Sequence, residues 1–194
     1  MAWVWYARLD TPFEPAEFDY TSPVDPAKTL TDTPLDVEHG PPVFRIKSKL
    51  INFETLHCPP VGNPPAVDNV WREIILRYVP ANLVQFYPIT LIARNGVSSK
   101  FSWVIPLSRV RCIDPERSDV VIKDERPNIT MIFLCNHYVH RELCLGDLHL
   151  ARDEQMLTHI VLSDELRDAL AATGESSMFY QPEDVPTTGQ RKIH

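Results

Sequence analysis

Proline sets the strongest limit on the fold of this chain. Its 194 residues include 18 prolines and only six glycines. Proline removes a backbone donor and ends helices, so a chain this rich in proline is expected to build short helices, strands and ordered loops. We therefore predict an α+β fold in which one mostly antiparallel sheet packs with two short helices, preceded by an extended segment.

The composition predicts a folded protein with a real hydrophobic core. Hydrophobic residues make up 44% of the chain and charged residues 23%, close to the averages of globular proteins. This length suits one domain with an attached segment. We divide the chain into an N-terminal strand and acidic proline-rich segment at residues 1–66, an α+β domain at residues 67–185 and a flexible tail at residues 186–194. The polar residues from Pro182 onward are expected to fray.

The formal charge of −7 is concentrated near the N-terminus. Between Leu9 and Val43, Lys28 stands alone against eight acidic residues, which are Asp10, Glu14, Glu17, Asp19, Asp25, Asp32, Asp36 and Glu38. We call this stretch the acidic arm. It is either a solvated segment or a surface that steers a basic partner, and both interpretations stay open. Because no basic patch is visible, direct binding of nucleic acid is disfavoured.

The cysteines and the N-terminal residues predict a compartment. No secretory signal precedes Cys58, Cys112, Cys135 and Cys144, and no apolar run is long enough to span a membrane. We therefore expect a cytoplasmic protein with reduced thiols and no membrane span, because disulfides are rare in the cytosol.

Local signals place two helices and a hairpin. Asp68 is a candidate N-cap for a helix over residues 69–78, and the apolar stripe of this helix predicts that Trp71 is a core residue. Ser163 caps a second helix that ends at Gly174. The dipeptide Asn95-Gly96 predicts a hairpin between strands at 83–93 and 100–107. Further strands are predicted at 2–8, 109–113, 120–122, 129–135, 159–162 and 178–180, whereas 44–53 fits a strand or a short helix.

One cluster of residues could hold zinc. Cys135, His137, His140 and Cys144 fall within ten residues, with His149 and His159 further on. Their spacing matches no diagnostic zinc frame, so we favour one buried cysteine and surface histidines. A zinc-dependent enzyme or zinc-stabilised module is the alternative. No nucleophile elbow, phosphate loop or dinucleotide fingerprint is present, and we predict no cofactor and no catalytic residues.

Three segments resemble those of bacterial polymorphic-toxin immunity proteins, a former domain-of-unknown-function group. The first is a strand with an aromatic pair before a proline, the second a strand that ends in Asp with a Ser four positions on, and the third a strand leading into a Ser-capped helix. In this chain they are Phe86-Tyr87-Pro88 within residues 82–89, Asp114 and Ser118 after Arg111, and Ser163-Asp164-Glu165-Leu166 running to Gly174. The resemblance covers residues 67–185.

This resemblance implies a protein that binds a cognate toxin encoded nearby and blocks its active surface without catalysis. Asp114 and Ser118 are its most distinctive polar positions. They are candidate partner contacts, although we favour turn chemistry as the explanation of these short polar side chains. A third hypothesis is an adaptor protein of a secretion apparatus that uses the acidic arm as a docking strand.

Overall fold

Two mixed sheets and two helices make up the fold. The computed structural model describes residues 1–6, 16–22, 24–30, 33–36, 40–46, 51–126, 129–175 and 178–185, without the side chains of residues 26, 122–131 and 133–136. In chain order these residues form β1 (Ala2–Trp5), β2 (Glu17–Phe18), β3 (Val43–Ile46), β4 (Ala66–Val67), α1 (Asn69–Tyr78), β5 (Val84–Ala93), β6 (Gly96–Pro106), β7 (Arg109–Val110), β8 (Asp119–Arg126), β9 (Ile129–His137), β10 (Leu150–Asp153), β11 (Ile160–Ser163), α2 (Asp164–Ala171) and β12 (Phe179–Tyr180).

The strands form two five-stranded sheets and a separate hairpin. The first sheet has the order β12-β1-β11-β10-β7 and the second the order β2-β3-β5-β6-β4. Strands β7 and β10 run parallel, as do β3 and β5, and the other pairs in these sheets are antiparallel. The predicted α+β class is therefore confirmed. The strands divide into two sheets, where the sequence predicted one.

Both helices begin where the sequence predicts. The Asp68 side chain accepts a hydrogen bond from the Trp71 backbone N–H, and the Ser163 hydroxyl accepts one from that of Leu166. Each cap satisfies a donor that the first helical turn leaves unpaired. Gly174 follows α2 with a φ of +102°, a left-handed conformation that glycine adopts without steric cost.

Helix α1 packs against the first sheet through Trp71. Its ring lies 5.9 Å from that of Trp5 in β1 and 5.8 Å from that of Phe179 in β12, and it is fully buried. Leu166 and Leu170 of α2 belong to the same core cluster. Trp71 is therefore a core residue, as its helical spacing predicts.

The predicted hairpin is strands β5 and β6, and it carries the second core. Phe101, Trp103 and Ile105 alternate along β6 and are buried against β3 and β5, while Val104 between them faces the helices. Residues 103–106 of β6 are thus buried on both faces. The continuous apolar run at 129–135 predicts a strand buried on both faces, and the one side chain described in it, Ile132, is buried.

Described parts of the acidic arm pack on the second sheet. Strand β2 pairs with β3. The Gln85 side chain accepts a hydrogen bond from the Leu35 N–H at 2.7 Å and donates one to the Leu35 carbonyl at 2.8 Å. Val24 and Thr29 are buried. Hydrogen bonds from Thr21, and then the guanidinium of Arg45, lower the pKa of Asp19. The Asp25 carboxylate accepts from the Ala27 N–H.

These contacts change one expectation about the arm. Asp19 and Asp25 each stabilise local structure, so they do more than supply charge. Asp10, Glu14, Asp32 and Glu38 lie outside the described residues. Strands from residues 1–66 enter both sheets, and the division at residues 66 and 67 stays a prediction of the sequence.

Two further expectations are corrected. Cys112 and Cys144 form a disulfide, so the prediction of four reduced thiols is wrong for this pair, whereas Cys58 is free and buried. The tail was expected to be loose from Pro182 onward. Residues 182–184 instead form a 3-10 turn and Val185 is buried, while residues 186–194 lie outside the described part of the chain.

Replacing Trp71 by Ala should lower the free energy of unfolding by about 3–5 kcal/mol, because the change removes a large buried ring and leaves a cavity. Val70, the preceding residue of α1, is 47% exposed. Val70→Ala should therefore change stability by no more than about 0.5 kcal/mol. Urea unfolding of both variants measures the difference, and similar losses in the two would contradict this account of the core.

Candidate partner-binding cleft

Residues 112–118 and 138–141 form a hydrogen-bonded base. The Asp114 N–H donates to the Val139 carbonyl at 2.8 Å, and the Arg141 N–H donates to the Cys112 carbonyl at 2.8 Å. The Ser118 hydroxyl accepts from the Val139 N–H at 2.9 Å and donates to its carbonyl at 3.2 Å. Ser118 therefore joins the two segments as a backbone group would.

Asp114 has the local bonds of a turn residue. Its carboxylate accepts from the Glu116 N–H at 3.1 Å, and its carbonyl accepts from the Ser118 N–H at 2.9 Å. These are the contacts that turn chemistry predicts for an Asp at the start of a turn. A direct role of Asp114 and Ser118 in partner binding stays a prediction.

A buried carboxylate fixes the same base from the opposite side. Asp153 is fully buried at the end of β10. One of its oxygens accepts from the N–H groups of Cys112 and Ile113 at 2.8 and 2.9 Å, and the other accepts from those of Gln155 and Met156 at 2.7 and 3.0 Å. Sequence reasoning missed this residue. An Asp that ends a short strand and precedes a turn is the signal that could have identified it.

Two histidines meet beneath the base. The Nε2 atoms of His140 and His159 lie 2.8 Å apart, and His140 Nδ1 lies 3.2 Å from the Ala2 carbonyl of β1. A carbonyl can only accept, so His140 Nδ1 carries the proton and its Nε2 accepts from His159. Tyr138 stacks on His159 at 4.9 Å.

Both imidazoles are held neutral by their surroundings. Burial lowers the pKa of His159 well below its usual value, and the neighbouring His140 lowers it further. Burial also lowers the pKa of His140, against the opposing effects of its bond to Ala2 and of the charges on Asp153 and Glu183. The pair therefore serves as a neutral hydrogen-bonded support of the cleft floor.

The disulfide anchors a loop over residues 141–148. It joins Cys144 of the loop to the buried Cys112 of the base, with the Cα atoms 4.9 Å apart. Leu143, next to Cys144, has a φ of +51° and is 93% exposed. A left-handed backbone at a branched residue costs about 1–2 kcal/mol. This side chain therefore gains almost no burial in return for its strained backbone.

A cleft of about 860 Å³ opens beside this loop. Its floor contains Ala2, His140 and Ser163, because β1 pairs with β11 and brings Ala2 opposite Ser163. The loop forms one wall and the turn at Pro182–Asp184 contributes to the other. The cleft is therefore built by one end of the paired strands β1 and β11 and by the anchored loop.

Acidic side chains outnumber basic ones along the cleft. It is lined by four carboxylates and two guanidinium groups, which belong to Glu142, Asp164, Glu165, Glu183, Arg117 and Arg141. Asp164 is engaged by the Trp3 indole N–H at 2.7 Å and by Arg167 at 3.6 Å. Hydrogen bonds from its own backbone N–H and from Ser163 lower the pKa of Glu165 and keep it ionised.

The predicted zinc ligands do not assemble in the described structure. Cys144 is in the disulfide, His140 bonds to His159, and His137 is exposed at the end of β9. The side chain of Cys135 is outside the described part. Within that part, no group of three or more His, Cys, Asp or Glu residues is placed to hold a metal ion.

Comparison with known protein families identifies the family of this chain. The model of the immunity protein family Imm11 matches residues 73–184. The chain belongs to this family. No curated protein matches it. The resemblance predicted from residues 67–185 is thus confirmed. None of the helices in the described residues is long and apolar enough to cross a membrane.

The Imm11 match contains most of the cleft and none of the acidic arm. All cleft-lining residues except Met1 and Ala2 lie between residues 73 and 184. The loop with Leu143, the disulfide and the histidine pair therefore lie within the part of the chain that the family model matches. The sequence predictions had instead placed partner contacts in the arm and at the Asp114 turn.

The neutral histidine pair predicts that acid destabilises the fold. The unfolded chain binds protons at the usual histidine pKa of about 6.5, above the lowered values in the fold. The contribution of the pair to the free energy of unfolding should therefore be fully present above that pH. The free energy of unfolding should fall as the pH drops below it.

Urea unfolding from about pH 7.5 to about pH 5.5 measures this slope. His140→Gln should give a smaller slope than the unmodified protein, because one of the two groups no longer titrates. Equal slopes in the two proteins would show that the pair does not carry the effect.

Proposed function

We propose that this Imm11 protein binds a cognate toxin, encoded nearby, and neutralises it by covering its active surface without catalysis. The observation that carries the proposal is the family match over residues 73–184. The cleft supports it, because an open cleft with exposed apolar and charged side chains suits contact with a folded protein surface.

The state of the polar groups in the cleft supports inhibition by binding. His140 is committed to His159 and Ala2, and the Ser163 hydroxyl caps α2. Asp164 is committed to Trp3 and Arg167. His140, Ser163 and Asp164 therefore hold the cleft in shape and are not available as a general base or nucleophile.

The acidic arm is proposed to assist association. Its carboxylates add to the overall charge of −7 and favour the approach of a basic toxin. Tyr20, beside Asp19, is 91% exposed and adds contact area there. Asp114 and Ser118, one on each side of cleft-lining Arg117, are proposed to position the contact surface. The proposed compartment is the cytoplasm, although the Cys112–Cys144 disulfide is of a kind that is rare there.

Co-expression with the product of the adjacent gene tests this function. The unmodified protein should restore growth and co-purify with the toxin in an equimolar complex. An unrelated toxin is the control and should neither be neutralised nor retained. Absence of both rescue and co-purification with the adjacent gene product would contradict the proposal.

Titration of the purified toxin separates blocking from turnover. If neutralisation is stoichiometric, toxin activity should fall linearly and vanish at one equivalent of this protein. A catalytic inactivator would silence a large excess of toxin, given time. Complete loss of activity at about one-hundredth of an equivalent would contradict blocking and identify catalysis.

A further inference from the structure

Leu143 is placed in a way that the fold alone does not explain. Its φ of +51° is a conformation that glycine or asparagine adopts far more readily than leucine. An isolated exposed leucine needs no explanation. A leucine that is 93% exposed and also has a left-handed backbone gains neither packing nor conformational ease from its position. Such a combination is typical of residues retained for a contact with another molecule.

The loop holds the backbone of Leu143 in a fixed position. Cys144, the next residue, is bonded to buried Cys112, and the Arg141 N–H donates to the Cys112 carbonyl. The Gly146 N–H donates to the Leu143 carbonyl at 2.9 Å and closes the turn. A backbone that is already ordered loses little entropy on binding, which favours the use of this residue as an anchor.

The charges around Leu143 identify the kind of surface that it fits. Glu142 precedes it, Glu183 lines the same cleft, and both are exposed. Arg117 and Arg141 also line the cleft, but among the described residues no salt bridge joins a basic group to either carboxylate. A partner surface opposite this rim would therefore be complementary if it placed basic groups around an apolar pocket.

We propose that Leu143 is the apolar anchor of this protein and inserts into a pocket on the cognate toxin that is rimmed by lysine or arginine side chains, with Glu142 and Glu183 facing those cations. This inference rests on the proposed function and names the surface that performs it. A basic pocket is also the kind of site that binds an anionic substrate, so its occupation would explain neutralisation by blocking.

Binding of the purified, catalytically inactive product of the adjacent gene tests the anchor. Leu143→Asn should weaken this binding at least about tenfold, as expected for a central contact. Because asparagine tolerates the left-handed backbone, the melting temperature should stay the same or rise. Val97→Asn is the matched control, since Val97 is 66% exposed on strand β6, and it should bind as the unmodified protein does.

Two further variants complete the test. Leu143→Gly suits the local backbone and should also lose affinity while remaining folded. Glu142→Gln combined with Glu183→Gln should weaken binding and reduce its salt dependence, whereas the exposed control pair Glu54→Gln and Glu73→Gln should not.

The outcomes distinguish failure of the Leu143 anchor from failure of the proposed function. Undiminished affinity of Leu143→Asn and Leu143→Gly would overturn the anchor while leaving the proposed function in place. Equal losses in Leu143→Asn and Val97→Asn would also overturn it. No binding by the unmodified protein would overturn the proposed function, and the anchor with it.

Discussion

The shape of the cleft depends on the buried carboxylate of Asp153. Its two oxygens accept four backbone N–H groups, two from residues 112 and 113 and two from residues 155 and 156. Burying a carboxylate is costly unless hydrogen bonds compensate it, and four charge-assisted bonds do so here. Because the first pair of donors belongs to the base of the cleft, this one side chain ties the base to strand β10.

The other parts of the cleft are connected to that base one after another. Residues 112–118 pair with residues 138–141, the disulfide continues the connection to Cys144, and Leu143 is thereby held at the rim. The histidine pair supports the floor as neutral groups, and α2 begins beside it at Ser163. The cleft is thus a consequence of backbone hydrogen bonds, and its exposed side chains are available for a partner. Contacts inside the protein explain the positions of Asp153 and His159. The proposed contact with the toxin explains the exposed position of Leu143.

Elements with local signals could be predicted from the sequence. The Asp68 and Ser163 caps, the Asn95-Gly96 hairpin and the helical stripe with Trp71 each depend on residues close in the chain, and each prediction is confirmed. The segment from residue 136 to residue 149 could not be predicted in this way. Its conformation depends on Cys112, 32 residues before Cys144, and on Asp153 and His159, which approach it only in the folded chain. The same long-range pairing explains why candidate zinc ligands became a disulfide and a histidine pair.

Hydrogen exchange of the complex with the cognate toxin tests the central claim most directly, because it locates the contact without any substitution. The account predicts that backbone amides of residues 141–148 and of residues 183–184 exchange more slowly when the toxin is bound. The amides at the tip of the β5–β6 hairpin, residues 94–97, should exchange at an unchanged rate. Protection confined to residues 16–36 of the acidic arm, with residues 141–148 unaffected, would contradict the cleft as the binding surface.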